Sequence, residues 1–188
     1  GRNGLGAIYV FSGGNGAIQT DYSSLDGGVS AMGIVNVCAT NAMGKRAPYS
    51  ERGANLTVCA PSADATDDQQ PEVTTTSVRN DYTHTFNGTS ASAPMVSGVI
   101  ALMLQANPKL TWRDVPLILA RTARKVDEQD GGWRDYRSPL GNAQGRYDVL
   151  HYSHHYGFGV ANADAAVQLA RTWKSVGGSD TLKACGPY

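Results

Sequence analysis

The sequence of 188 residues has little charge and no excess of either sign. Lysine and arginine together number 16, aspartate and glutamate also number 16, and charged residues make up only 17% of the chain. A chain without a basic surplus lacks the usual electrostatic reason to bind nucleic acid or an anionic membrane, so we expect neither partner. Glycine is abundant, at 22 residues, which favours a compact fold with many tight turns over a coiled coil or a disordered tail.

The sequence also lacks a long hydrophobic run. Its most apolar stretch, residues 93–104, is interrupted by Ser97 and Gly98 and is shorter than the roughly 20 residues that a membrane span requires. The first residues do not have the pattern of a signal peptide, so they neither indicate nor exclude export. The length suits one domain that can bury a core of its own.

Cysteine is scarce, and the three cysteines lack the spacing of a metal site. Cys38 and Cys59 lie within apolar runs, whereas Cys185 lies near the end of the chain. We interpret the first two as buried free thiols on strands; the alternative is a disulfide, if those strands are neighbours of suitable geometry. Cys185 is then an odd cysteine, and its partner would lie outside this chain.

Short apolar runs separated by glycine-rich turns predict strands. Buried strands are expected at residues 7–11, 33–39 and 56–60. The run at 7–11 is expected to be fully buried because it is apolar throughout, and Pro61 is expected to end the last one. Residues 74–77 and 83–86 flank a polar turn, which predicts an antiparallel hairpin.

Helical patterns follow the hairpin. Residues 91–106 are apolar nearly all round and predict a core helix. Thr111 and Asp114 have the spacing of a capping box, which predicts the start of a second helix, and residues 162–173 predict a last amphipathic helix. Strands followed by a buried helix indicate an α/β fold with a mainly parallel sheet.

A small serine, Ser90, stands where the predicted core helix begins, in the segment FNGTSASAP at residues 86–94. The N-terminus of a helix offers unpaired N–H groups and a positive dipole end, which favour negative charge beside that serine. A hydroxyl is a weak nucleophile without a general base, so nucleophilic catalysis needs a second residue. The alternative is that Thr89 or Ser90 is only the N-cap of the helix.

The stretch GTSASAP at residues 88–94 resembles the nucleophile motif of the subtilisin-like serine proteases, the subtilases. It differs from the Gly-x-Ser-x-Gly elbow of α/β-hydrolases because Ser92 stands two residues after Ser90. In subtilases the catalytic triad runs Asp, His, Ser, so the serine belongs late in the domain. Helices after Ser90 agree with that order.

Further segments resemble the kexin/furin branch of that family, the proprotein convertases. They are AIYVFSGGNG at 7–16, NPKLTWRDV at 107–115, WRD at 133–135, HHYGFG at 154–159 and TW at 172–173. The similarity covers residues 1–176. It implies a three-layer subtilisin-like fold with a mainly parallel sheet, present here as its C-terminal half.

The resemblance implies a catalytic role for two residues. Ser90 is matched to the nucleophile, and Asn15 to the side-chain amide that donates a hydrogen bond to the oxyanion, together with the N–H of Ser90. The alternative is a purely structural role, in which Asn15 is a turn residue between glycines. Gly13 and Gly14 are expected to let a substrate backbone approach this loop closely.

Three carboxylates also match the convertase branch. Asp26 corresponds to a residue at the base of the pocket for the residue before the cut bond, where a carboxylate selects Arg or Lys. Asp21 and Glu51 correspond to two ligands of a Ca²⁺ ion beneath that pocket, and Ca²⁺ prefers oxygen ligands of this kind. Without the family likeness, Asp26 would be a turn residue and Glu51 a surface charge.

The histidines do not supply the missing base. His84 lies six residues before Ser90, and no pattern supports it in that role. The spacing of the other three histidines resembles that of a metal cluster, but their segment matches a structural segment of the family. We therefore interpret them as packing residues: His151, His154 and His155.

The resemblance therefore implies that the catalytic Asp and His lie upstream of residue 7. Residues 1–176 are expected to be the C-terminal part of a catalytic domain, and residues 177–188 a linker towards an absent downstream domain. The implied activity is a calcium-dependent serine endopeptidase that cleaves protein or peptide substrates after Arg or Lys, including dibasic sites. An N-terminal fragment of the same protease is the expected partner, and the expected location is secreted, periplasmic or luminal.

Two alternatives remain. The chain could be a non-catalytic scaffold or binding fragment that keeps the subtilase shape, or part of a generic subtilisin-like protease without basic specificity.

Overall fold

The computed structural model describes residues 1–64, 71–130, 132–137 and 149–177, so Cys185 and most of the expected linker lie outside the described residues. A three-stranded sheet of order β1–β2–β3 comprises Tyr9–Ser12, Ile34–Thr40 and Val58–Pro61. Two hairpins pair β4 (Val73–Ser77) with β5 (Asp81–Phe86), and β6 (Arg134–Arg137) with β7 (Val149–Tyr152). The helices are α1 (Thr89–Ala106), α2 (Asp114–Thr122) and α3 (Ala163–Thr172).

The three-stranded sheet is parallel, as predicted, and β2 is its central strand. Val10 lies opposite Val35, and Val37 lies opposite Val58. Helix α1 packs against all three strands and also contacts α3. The side chains of Val35 and Val37 face these helices, whereas Cys38 belongs to a second apolar cluster. Because both faces of β2 are covered, its sequence is apolar nearly throughout.

The prediction of a fully buried first strand was wrong. Tyr9 is 58% exposed and Phe11 is 45% exposed. Strand β1 lies at the edge of the sheet, and within the described residues no strand pairs with its outer side. Helix α1 is likewise covered on one side only, since Met95 and Leu102 are exposed. The helix is longer than the apolar stretch at residues 93–104, and by length and composition alone it could cross a membrane, a test that core helices packed on a sheet also pass.

Cys38 and Cys59 form a disulfide, so their interpretation as free thiols was wrong. They lie directly opposite each other in the parallel pairing of β2 with β3, with Cα atoms 4.3 Å apart. Both are fully buried, beside Leu56, Tyr156 and Val160. The apolar runs around the cysteines indicated strands, but they did not indicate that these strands are neighbours.

The predicted helices form with slightly different ends. Helix α3 begins after Asn162, whose side chain accepts a hydrogen bond from the N–H of Ala165. The capping box also forms, because the N–H of Thr111 donates to Asp114 and the N–H of Asp114 donates to the Thr111 hydroxyl. Regular helix α2 nevertheless begins only at Asp114.

Asp114 is a fully buried carboxylate that joins α2 to the segment after α3. It accepts hydrogen bonds of 2.7 to 2.9 Å from the backbone of Thr111 and Val176 and from the side chains of Thr111, Trp173 and Ser175. Burial raises the pKa of this carboxyl, but these hydrogen bonds outweigh it and lower the pKa below its ordinary value.

We expect Asp114 to make stability depend on acid. Because its pKa is lowered in the folded state, its contribution is present above the ordinary pKa of about 3.9 and is lost as the pH falls through the lowered value. Asp114→Asn should destabilise the protein near neutral pH, since each buried donor left unpaired costs about 1–3 kcal/mol. It should also flatten the pH dependence of the free energy of unfolding below about pH 4.

Denaturant unfolding at several pH values measures both effects. Asp164→Asn, at an exposed position of α3, is the control. Equal acid sensitivity of Asp114→Asn and the unaltered protein would contradict this role.

Candidate active site

The site is built around the first turn of α1. Gly88 precedes the helix with a φ of +88°, a left-handed conformation that favours glycine. Its N–H donates to the hydroxyl of Tyr49 at 3.0 Å, and its carbonyl accepts from the hydroxyl of Ser62 at 3.0 Å. Tyr49 and Ser62 are buried and lie within hydrogen-bond distance of each other, at 2.8 Å. They fix where the helix begins, and no pattern in the sequence indicated either of them.

Asn15 holds the N-terminus of α1 from a different loop. Its side-chain oxygen Oδ1 accepts from both the N–H and the hydroxyl of Thr89, each at 2.9 Å. The hydroxyl oxygen of Thr89 in turn accepts from the N–H of Gly14 at 3.3 Å. Since a backbone N–H can only donate, it is the oxygen of the Asn15 amide that faces the helix.

The amide nitrogen of Asn15 is therefore left to donate elsewhere. It makes no hydrogen bond to any of the described residues, and Asn15 is exposed. The nitrogen lies 3.4 Å from the position that a Cβ on Gly88 would occupy. A free, oriented N–H₂ group thus stands beside the start of α1, where the unpaired helical N–H groups also favour negative charge.

Ser90 is exposed in the first turn of α1, directly after Thr89. Gly88 is the N-cap residue of α1 and no side chain of the helix caps its own N-terminus, so the alternative that Thr89 or Ser90 is only an N-cap does not hold. The neighbouring Ser92 is buried and donates to the carbonyl oxygen of Ala60 at 2.9 Å. Of these two serines, only Ser90 faces solvent.

No histidine of the chain hydrogen-bonds Ser90. His84 lies against Thr74 at 3.0 Å on the β4–β5 hairpin. The others engage distant groups: His151 with Asp135, His155 with Asp130, each at 2.7 Å, and His154 with the ring of Tyr152. A general base for Ser90 is thus not found among the described residues.

Glu51 and Asp21 converge on the loop that carries Asn15. Glu51 is only 8% exposed, and its Oε1 accepts from the N–H of Gly16 at 2.8 Å. A Cβ added to Gly16 would lie 3.0 Å from that oxygen and 3.2 Å from Oδ2 of Asp21. The structure thus brings oxygens of both carboxylates to one place.

The glycines beside Asn15 are required by the protein itself. A Cβ on Gly14, whose φ is +105°, would lie 2.3 Å from Oε1 of Glu51. Gly13 is buried, and its N–H donates to the carbonyl of Val37 at 2.8 Å. Close approach of Glu51 and of strand β2 therefore explains these two residues without a substrate.

Asp26 lies on the surface, one short turn beyond Asp21. A 3₁₀ turn at Ser23–Leu25 separates them, and the N–H of Asp26 donates to the carbonyl of Ser23 at 3.2 Å. Oδ1 of Asp26 accepts from the N–H of Gly28 at 2.7 Å, a hydrogen bond that agrees with the turn role given above as the alternative for this residue. Its other oxygen has no partner within the described residues, so it can accept from a cation.

The model of the subtilase family matches residues 1–159, which is most of the chain and includes every residue of this site. The chain belongs to the subtilase family. Individual proteins show the same likeness to the proprotein convertases. The chain is 38% identical over 174 residues to human proprotein convertase subtilisin/kexin type 4. It is 36% identical over 177 residues to a PC3-like endoprotease of Hydra vulgaris.

The fold of this subtilase agrees with solved structures. The serine protease of Aeromonas sobria matches 93% of the chain with a TM-score of 0.76 and 25% identity, and the match covers 38% of that protein. The human and Hydra proteins above are matched over 92% and 94% of this chain but only 21% and 24% of their own length. The chain therefore spans about a quarter or less of these curated relatives.

Thr89 should stabilise the contact between the Asn15 loop and α1. In Thr89→Val the hydroxyl is lost, which leaves the N–H of Gly14 without its acceptor and costs about 1–3 kcal/mol of unfolding free energy. Thr89→Ser keeps the hydroxyl and is the matched control. Denaturant unfolding of both variants measures the difference, and a valine variant as stable as the serine variant would contradict the role.

Proposed function

We propose that this chain is the C-terminal part of the catalytic domain of a calcium-dependent serine endopeptidase that cleaves after Arg or Lys, dibasic sites included. Family membership and the likeness to proteins named as proprotein convertases support the class of reaction. The observation that carries the proposal is the orientation of Asn15. Two donors of Thr89 hold its amide oxygen, which leaves its N–H₂ group free at the helix end where Ser90 stands.

In this proposal the Ser90 hydroxyl attacks the carbonyl carbon of the scissile peptide bond. A histidine outside this chain takes the hydroxyl proton and later delivers it to the leaving amine, and an aspartate orients that histidine. Negative charge develops on the carbonyl oxygen as the tetrahedral intermediate forms. The N–H₂ group of Asn15 and the N–H of Ser90 donate to that oxygen, and the N-terminus of α1 favours its charge.

The catalytic Asp and His are proposed to belong to an N-terminal portion of the same protease. No histidine of this chain meets Ser90, so the chain by itself is not expected to be active. The unpaired edge of β1 and the exposed apolar side chains of Phe11, Met95 and Leu102 offer a surface for such a portion. Residues 1–176 are proposed to belong to this domain, with 177–188 leading out of it.

Asp26 is proposed to select the basic residue before the cleaved bond. It is exposed, the hydrogen bond from Gly28 holds one of its oxygens, and the other is available to a guanidinium or ammonium group. Arg is expected to bind better than Lys because its planar guanidinium can donate two parallel hydrogen bonds to a carboxylate.

Asp21 and Glu51 are proposed to hold Ca²⁺. The donor set fits, because two carboxylates that would repel each other converge beside Gly16, and one of them is almost fully buried. Ca²⁺ takes six to eight oxygen ligands, so these two residues supply part of a coordination shell. When bound, the ion would neutralise the two carboxylates and hold the Asn15 loop against the turn that carries Asp26.

The buried disulfide supports an oxidising location. Disulfides are rare in cytosolic proteins and persist in secreted, periplasmic and luminal ones. Here the bond between Cys38 and Cys59 joins the central strand to its neighbour within the core. We therefore propose a secreted, periplasmic or luminal site of action.

Asn15→Asp tests the oxyanion role in the complete protease. A carboxylate can still accept both hydrogen bonds from Thr89 but cannot donate, so kcat should fall by at least about 10²–10³-fold while KM changes little. Labelling of Ser90 by a fluorophosphonate should slow in parallel. Asn3→Asp, an equal change at an exposed position, is the control. Unchanged turnover in Asn15→Asp would contradict the role, and an unaltered protease that does not label would favour a non-catalytic scaffold.

Matched peptides with Arg, Lys, Phe or Leu before the cleaved bond test the role of Asp26. The complete protease should prefer Arg and Lys. Asp26→Asn should lower kcat/KM for those two peptides about 10- to 100-fold, because a hydrogen bond to a charged group contributes roughly 1.5–3 kcal/mol. Asp164→Asn should change nothing. A preference of the unaltered enzyme for Phe or Leu would contradict the basic specificity and leave a generic subtilase.

A further inference from the structure

The segments that carry Asp21 and Glu51 are joined at the very next residues. Tyr22 and Arg52 form an isolated parallel β-bridge, and the N–H of Ser23 donates to the carbonyl oxygen of Arg52 at 3.1 Å. In a parallel pairing, the residues before two bridged partners run alongside each other. The bridge thus sets Asp21 beside Glu51.

The side chains of the bridged residues also bind each other. The guanidinium carbon of Arg52 lies 4.6 Å from the centre of the Tyr22 ring, and Nη2 of Arg52 donates to the Tyr22 hydroxyl. Arg52 makes no ion pair with Asp21, Glu51 or Asp26 within the described residues. Arg52 directly follows Glu51 and is bridged to the residue after Asp21, yet its guanidinium is engaged by an aromatic ring and leaves both carboxylates open.

We propose that Tyr22 and Arg52 form a positioning clamp for the cation site of Asp21 and Glu51. This inference rests on the proposed calcium role of those two carboxylates. Two carboxylates that share one place repel each other, so the empty site tends to open. The clamp joins the residues that directly follow these two carboxylates, and it keeps the carboxylates together before the ion binds. Preorganisation of this kind increases affinity.

The clamp has a second consequence for the site. An arginine that was released from Tyr22 could fold back onto Asp21 or Glu51 and occupy the position of a metal ion. Stacking on Tyr22 holds the guanidinium away. Loss of the ring should therefore weaken cation binding in two ways. The two carboxylates would be held together less well, and the guanidinium could occupy the position of the ion.

Calcium titration of the complete protein by calorimetry tests the clamp, because it does not depend on catalysis. Tyr22→Leu removes the ring and leaves every charge in place. It should weaken Ca²⁺ binding about two- to fivefold, which corresponds to the contribution of an exposed cation–π contact. Tyr22→Phe and Arg52→Lys each keep part of the contact and should weaken binding less. Tyr82→Leu, an equal change at an exposed tyrosine of β5, should have no effect.

The outcomes separate the clamp from the site. If Glu51→Gln weakens Ca²⁺ binding but Tyr22→Leu binds as tightly as the unaltered protein, the clamp is overturned and the site stands. A lower melting temperature in EDTA with unchanged Ca²⁺ affinity also overturns it, because the pair would then be only structural. If the unaltered protein does not bind Ca²⁺, the proposed site and the clamp both fail. Should Tyr22→Leu not fold, Tyr22→Phe and Arg52→Lys decide.

Discussion

The contact between Asn15 and Thr89 is the interaction on which the candidate site depends. It joins the loop after β1 to the first turn of α1 through two hydrogen bonds to a single oxygen. The same contact does two things. It supplies a cap for a helix that has no capping side chain of its own, and it fixes which end of the Asn15 amide faces solvent. The same two hydrogen bonds therefore stabilise the helix end and orient the amide that we propose as the oxyanion donor.

The start of α1 is fixed from three directions, which is what a preorganised donor requires. Tyr49 and Ser62 bind the two backbone groups of Gly88, and Ser92 binds the backbone at the end of β3. With the helix end and the Asn15 loop both held, an oxyanion can be stabilised without moving either group. The rigidity of the site therefore comes from buried residues that would never touch a substrate.

The sequence predicted the local parts of this arrangement better than the long-range ones. The strands and helices follow from hydrophobic period and from short patterns of adjacent residues, whereas the roles of Ser90 and Asn15 came from the resemblance to the subtilases. Tyr49, Ser62 and the Tyr22–Arg52 pair were missed because each contacts residues that are distant in sequence and that only the fold brings close. The burial of β1 and the state of the cysteines were wrong for the same reason: both depend on which strand lies next to which, and an apolar run does not say that.

The glycines beside Asn15 have a structural cause that their residue type alone does not reveal. Gly14 and Gly16 flank Asn15, and neither has room for a side chain. In the structure the space is filled from below by Glu51, whose carboxylate lies where a Cβ of Gly14 would be. The N–H of Gly16 donates to this nearly buried carboxylate and holds it beneath the loop. A cation shared with Asp21, as proposed, would hold it further and would link the metal site to the shape of the loop that carries Asn15.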